Sequence, residues 1–298
     1  VPAGTLANRP PQPFTFVYGT NMTGVGAYAA PGGLVVAGRA NYNNPAFHNV
    51  SAAGGTVLIY LDAIIDNDYG TWHQLLHNTS TCGPAVPRWP GEPNANQWGY
   101  LADFRPGSIL QFKLECVLEA MVAANPHMGG FFMDDVGSRS WFGGFNWSTF
   151  GTANQQAYRD GAIQIVNTAR TVADRHGLIV IVNGTWNART SSDGAGGGGY
   201  PNTGQHGNAS ADGFFIENHP ASELSFWTAV STSPQWATGS PYTRGVEFML
   251  VGTRTVADRD AYINSGNFAF VQAYTSGYET AVAPWGPLHP TGLPTGVS

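Results

Sequence analysis

The chain reads as an α/β protein, a (β/α)8 TIM barrel with a long inserted loop region, about residues 67–105, over its C-terminal face. Three observations predict this: eight short apolar runs, helical segments between several of them, and a polar residue at the end of nearly every run. The runs are 14–18, 33–37, 56–61, 130–133, 178–182, 213–216, 245–251 and 268–273. Most lack polar alternation, which is how strands covered on both faces read. Parallel strands under helices fit that pattern better than a sandwich does.

Taken in order, the first two runs are separated by about 15 residues rich in Gly, Pro and Asn, which offer little helix. After the third run, residues 67–105 carry Pro84, Pro87, Pro90 and Pro93 and read as an extended loop over the mouth of the barrel. Residues 110–124 show a helical period in Leu110, Leu114, Val117, Leu118 and Met121, ending near Asn125-Pro126. Residues 154–176 form the longest helix candidate, with Gly177 as its stop. Two shorter candidates are 220–228 and 256–265, the latter capped by Thr255 or Thr253, with Asp258 and Asp260 near its positive end. Residues 284–298 read as a tail. No linker or repeat divides the 298 residues, so a single barrel domain is expected. A doubly wound open sheet is the runner-up, but no glycine-rich phosphate loop follows the first run.

Composition excludes several classes. The net charge of −6, one lysine (Lys113) and no basic stretch weigh against nucleic acid and anionic membranes. No run of 18 apolar residues exists, so no membrane span is expected. Val1-Pro2-Ala3-Gly4 lacks a signal-peptide pattern: a signal has been removed, or none existed. The two cysteines, Cys82 and Cys116, form either one disulfide or two buried thiols. The abundance of Asn, Gly, Ser and Thr favours the disulfide and a secreted, extracellular protein, read here as a monomer.

A barrel works at the C-terminal ends of its strands. Those ends deliver Tyr18, Arg39, Asp62, Asp134 with Asp135, Asn183, Glu217 with Asn218, Arg254, and Gln272 with Tyr274. Burying unpaired charge is expensive, so carboxylates that end apolar runs belong at the open rim. Asp134 is the candidate nucleophile and Glu217 the candidate general acid for splitting a glycosidic bond. Asp134 and Asp135 are consecutive and should point to opposite faces, leaving one at the barrel axis. Apolar Phe214, Phe215 and Ile216 before Glu217 should raise its pKa, as a general acid requires. Asp62 is the third carboxylate, and Arg39 is its candidate partner. Asp62, Asp135, Arg39, Asn183, Tyr18, Asn218, His219, Gln272 and Tyr274 are candidate sugar contacts, with His206 as a further one.

Tryptophans in Gly/Asn-rich segments (Trp72, Trp89, Trp98, Trp141, Trp147 and Trp186) are either sugar platforms or small cores for the large loops. Trp186 is carried as a candidate substrate contact. No metal or other cofactor is expected. Asp62, Asp66 and Asp68 lack the pattern of a calcium hand. His73 and His77 are four apart but do not form His-Glu-x-x-His, and no carboxylate stands suitably between them. No Gly-x-Ser-x-Gly elbow appears, so an esterase triad lacks its seat. His127, just before the fourth run, reads as structural.

The order of these motifs resembles glycoside hydrolase family 114, the endo-α-1,4-polygalactosaminidase type. The resemblance rests on Gly129-Gly130-Phe131-Phe132-Met133-Asp134-Asp135-Val136, on Ile181-Val182-Asn183-Gly184, and on Asp212-Gly213-Phe214-Phe215-Ile216-Glu217. Gly137 stands where the family usually has another Asp, and residues 67–105 are an addition that would rebuild the cleft. The resemblance implies a (β/α)8 barrel with Asp134 as nucleophile and Glu217 as acid/base. The implied activity is endo-hydrolysis of an α-linked amino-polysaccharide. The competing readings are a catalytically inactive carbohydrate-binding or cell-surface/virion barrel, and another hydrolase or lyase using the two carboxylates differently.

Overall fold

The computed structural model describes residues 11–18, 24–29, 32–38, 42–66, 70–91, 99–136, 149–183, 211–231 and 248–274. Its centre is an eight-stranded, all-parallel sheet made of β1 (Phe14–Val17), β2 (Leu34–Ala37), β3 (Thr56–Asp62), β6 (Gly130–Asp134), β7 (Ile179–Val182), β8 (Gly213–Ile216), β9 (Phe248–Thr253) and β10 (Phe270–Ala273), in that spatial order. Gln12, just ahead of β1, forms a parallel bridge with Phe270: its N–H donates to Ala269 O at 2.9 Å and its carbonyl accepts from Val271 N at 2.9 Å. The first and last strands are thereby joined at that bridge.

The described residues hold six α-helices: α1 (Pro45–Ala52), α2 (Gly70–His77), α3 (Ile109–Ala124), α4 (Thr152–His176), α5 (Leu224–Ser231) and α6 (Val256–Ser265). Most follow a strand and cover one face of the sheet. Val35, Val57, Ile59, Phe131, Val180 and Val182 pack in one cluster with helix residues such as Leu114, Leu118, Ile165 and Ala169. Their strand neighbours Phe14, Phe16, Leu58, Tyr60, Phe132, Ile181 and Phe215 form a second cluster built from strands and their immediate ends. Strand alternation explains the division, and it explains why the runs read as unbroken apolar stretches. Burial of each such aromatic or aliphatic side chain contributes roughly 1.5–3 kcal/mol.

The predicted boundaries shift at several ends. The third and fourth runs extend to Asp62 and Asp134, which are register partners across β3 and β6. The seventh is β9, Phe248–Thr253, and 245–247 lie outside the described residues. Candidate 220–228 is a 3-10 turn, Ala221–Glu223, running into α5. Thr255 caps α6, accepting from Asp258 N at 3.1 Å. An additional helix, α1, starts at Pro45 under an Asn44 cap that accepts from Ala46 N at 2.9 Å.

Residues 67–105 are not wholly extended loop: they contain α2 and β5 (Tyr100–Leu101), which pairs antiparallel with β4 (Ile65–Asp66). The disulfide Cys82–Cys116 ties this region to α3. On the same face of α3, the buried Lys113 donates to the carbonyls of Asn78 (2.6 Å), Gly83 (3.3 Å) and Pro84 (3.1 Å). Burial lowers the Lys113 pKa, and three carbonyl acceptors satisfy its three donors. The chain's one lysine is therefore an internal staple. Trp72 and Trp89 are fully buried, Trp89 against Phe104, Phe150 and Tyr158. Both belong to the main helix-side core.

The Asp212-Gly213 entry into β8 has a structural cause. Asp212 accepts from Arg170 and, at 2.7 Å, from Val180 N, so a buried ion pair anchors the start of β8 to α4 and β7. Gly130 opens β6 because a Cβ there would lie 2.1 Å from Ile179 O.

Candidate active site

Four strands converge their ends on one acidic cluster. Each inward aromatic or aliphatic residue is followed, two positions on, by a polar one: Tyr60 by Asp62, Phe132 by Asp134, Ile181 by Asn183, Phe215 by Glu217. The strand repeat that fills the interior thus also aims these groups at the same rim. Sharp backbone turns follow both principal carboxylates, with Asp135 at φ 58° and Asn218 at φ 61°. Left-handed conformations are costly for most side chains and best tolerated by Asp and Asn. Strain of this kind gathers at functional sites.

Asn183 links the two carboxylates. Its side-chain Nδ2 donates to Asp134 Oδ1 at 2.9 Å and to Glu217 Oε2 at 3.0 Å. Asp134 also accepts from Tyr60 Oη at 2.5 Å and from the backbone N–H of Asp135 at 2.9 Å. Glu217 receives one further contact, from Asn218 Nδ2 at 3.4 Å. Burial and the negative charge of Glu217 raise the Asp134 pKa to about 6, against the lowering effect of its three donors. Burial first, then the charges of Asp134 and Asp62, push the Tyr60 phenol well above its ordinary value, so it stays a donor.

Asp135 does not turn away from the cluster as alternation alone predicts. Its left-handed backbone ends the strand, and its side chain hydrogen-bonds Asp62. Two carboxyl groups can share such a bond only when one carries the proton. Burial and the charges of Asp134, Asp62 and Glu217 raise the Asp135 pKa well above the usual carboxylate range.

Tyr18 stacks on Phe16 and meets the Tyr60 ring edge-on at 4.9 Å, at the same rim. His219 is held at Nδ1, 2.5 Å from Glu223 Oε2, which also accepts from Trp227 Nε1 at 3.1 Å. Gln272 and Tyr274 are fully buried in the wall: Gln272 Nε2 donates to Tyr28 Oη at 2.9 Å, and Tyr274 Oη to Phe14 O at 3.4 Å. Arg39, Trp186 and His206 lie outside the described residues. His127 is buried beside His48. Tyr60 was not singled out from the sequence; its signal is its place two residues before Asp62. A groove of about 790 Å³, with Pro87, Arg105, Ile109 and Asp160 in its lining, involves none of the clustered carboxylates.

The fold is similar to solved glycoside hydrolase structures. The glycoside hydrolase domain of PelA from Pseudomonas aeruginosa matches with a TM-score of 0.55 at 12% identity, over 91% of this chain and 98% of that one. A glutamate-to-alanine variant of that domain matches with a TM-score of 0.53 at 13% identity, over 91% and 98%. Aspergillus fumigatus Ega3, in complex with galactosamine, matches with a TM-score of 0.50 at 12% identity, over 90% and 92%. No protein-family model matches the chain, and no curated protein does. At such identity the likeness is one of fold.

Proposed function

We propose that this protein is a secreted, endo-acting glycoside hydrolase that cleaves an α-linked amino-sugar polysaccharide with retention of configuration, on a closed (β/α)8 barrel. The Gln12–Phe270 bridge supports closure, and the disulfide supports an oxidising, extracellular setting.

The observation that carries the reading is the shared Asn183 amide. Bonds of 2.9 and 3.0 Å from that one nitrogen keep Asp134 Oδ1 and Glu217 Oε2 within about 6 Å of each other, which favours the shorter of the two glycosidase spacings. Retaining glycosidases use a separation of about 5–5.5 Å, whereas inverting ones need room for a water. The donors divide the roles. Asp134 accepts three hydrogen bonds, each of which favours its anion against the effect of burial, and is assigned the nucleophile. Glu217, which receives only side-chain amides, is assigned the general acid and base. Asp134 then attacks the anomeric carbon while Glu217 protonates the departing glycosidic oxygen, leaving a glycosyl ester on Asp134. Glu217, now ionised, removes a proton from water, whose oxygen displaces Asp134 and regenerates both groups.

Four clustered carboxyl groups, Asp62, Asp134, Asp135 and Glu217, suit a substrate bearing ammonium groups, as does the net charge of −6. Galactosamine bound to a protein of similar fold points the same way. The test is reducing-end release from a panel including α-1,4-linked galactosaminan and its N-acetylated form. Turnover should fall to background in Asp134→Asn and Glu217→Gln while both variants keep wild-type circular dichroism. Binding of the glycan without release of any reducing end would favour the inactive carbohydrate-binding barrel instead.

A further inference from the structure

A second cluster lies just beyond the rim, where β3 turns into β4. Asp66 ends β4 and is 4% exposed, with its backbone fixed by pairing to Tyr100 of β5. His73 and His77, one turn apart on α2, project to the same side of the helix, with ring centroids 4.3 Å apart. His73 Nδ1 lies 2.5 Å from Asp66 Oδ1, and His77 Nε2 lies 2.5 Å from Asp66 Oδ2. The metal-binding atoms of all three residues fall within 4.8 Å of one another.

From this geometry we propose that Asp66, His73 and His77 hold one zinc ion. Two imidazole nitrogens and a carboxylate oxygen are a borderline donor set that suits zinc, while calcium and magnesium require more oxygens. Bonds of about 2.0–2.2 Å in a tetrahedral site separate neighbouring donor atoms by about 3.3 Å. The three ligand atoms lie within 4.8 Å of one another, so side-chain shifts of about 1–1.5 Å reach that arrangement. The histidine side is accessible, with side-chain exposures of 27% for His73 and 38% for His77, so the ion has an entry path and water can complete its shell. Asp66 supplies the negative charge from the buried side.

The site has a structural use. Helix α2 has eight residues, too short to be stable alone. Zinc would pin it to β4, four residues beyond Asp62, complementing the disulfide and Lys113 that hold the following loop to α3. The sequence conceals this site because its carboxylate precedes the helix instead of lying between the histidines. The proposal is independent of the hydrolase reading.

The test uses the full chain, purified without a histidine tag, stripped with a chelator and titrated with zinc chloride by calorimetry. The expected result is saturable binding of one ion per chain with a melting temperature that rises on loading, and no response to magnesium or calcium. His73→Gln and His77→Gln alter partly exposed helix positions. Each should weaken zinc binding by more than the 10–100-fold typical of losing an outer-sphere partner. Absence of saturable zinc binding to the wild type, or affinity unchanged in both variants, would overturn the assignment.

Discussion

Replacing Tyr60 by phenylalanine removes one oxygen from the cluster and leaves the aromatic packing in place, since the ring stacks on Phe132 at 5.9 Å and meets Tyr18 at 4.9 Å. The hydroxyl donates to Asp134 at 2.5 Å and lowers its pKa. A hydrogen bond to a charged group contributes about 1.5–3 kcal/mol, and each pKa unit corresponds to about 1.36 kcal/mol. The Asp134 pKa should therefore climb by about one to two units, from about 6 into the range of about 7–8. The assay is kcat/KM between pH 4 and 9 on a soluble galactosaminan oligosaccharide. The wild-type acidic limb should fall near pH 6 and the variant's one to two units higher, so the deficit is about 10–100-fold at pH 5 and shrinks at pH 9. An unmoved acidic limb, or a deficit equal at every pH, would refute the reasoning that Tyr60 holds the nucleophile as its anion.

Asn183→Ala should lower kcat about 100-fold with a smaller change in KM, because both carboxylates lose the donor that spaces them; equal effects on both constants would assign Asn183 to substrate binding. Cys116→Ser should cost about 2–4 kcal/mol in urea unfolding, since the bridge spans a sequence separation of 34; no change would remove the staple role. Asp134 also shapes stability against pH. Its folded value of about 6 exceeds the ordinary 3.8, so the folded state binds more protons between those values and stability falls as pH rises through that window. Relative to Asp134→Asn, the wild type should lose up to about 3 kcal/mol between pH 4 and 6.5; a difference that stays flat contradicts the raised value.

The strands were legible because a sheet covered on both faces leaves unbroken apolar runs, and Asp134 and Glu217 were legible because charge cannot continue those runs inward. The turn at Asp135 was not. A left-handed residue breaks the alternation on which the two-face argument depends, and only backbone geometry shows it. Asn183 looked like a sugar contact because nothing in one strand end says that a second and third converge on it. Tyr60 was hidden in plain apolar company, since an inward aromatic near a rim reads as core until its hydroxyl finds a carboxylate. In residues 67–105 the prolines suggested loop, and the eight-residue α2 is too short for its period to stand out.

The central claim is that Asp134 and Glu217, spaced by one amide, cleave by double displacement. Proton NMR of the first reducing ends released from an α-linked galactosaminan, read before mutarotation, tests it most directly. The α-anomer should appear first. Initial release of the β-anomer would contradict the account, because a double displacement returns the anomeric configuration of the substrate.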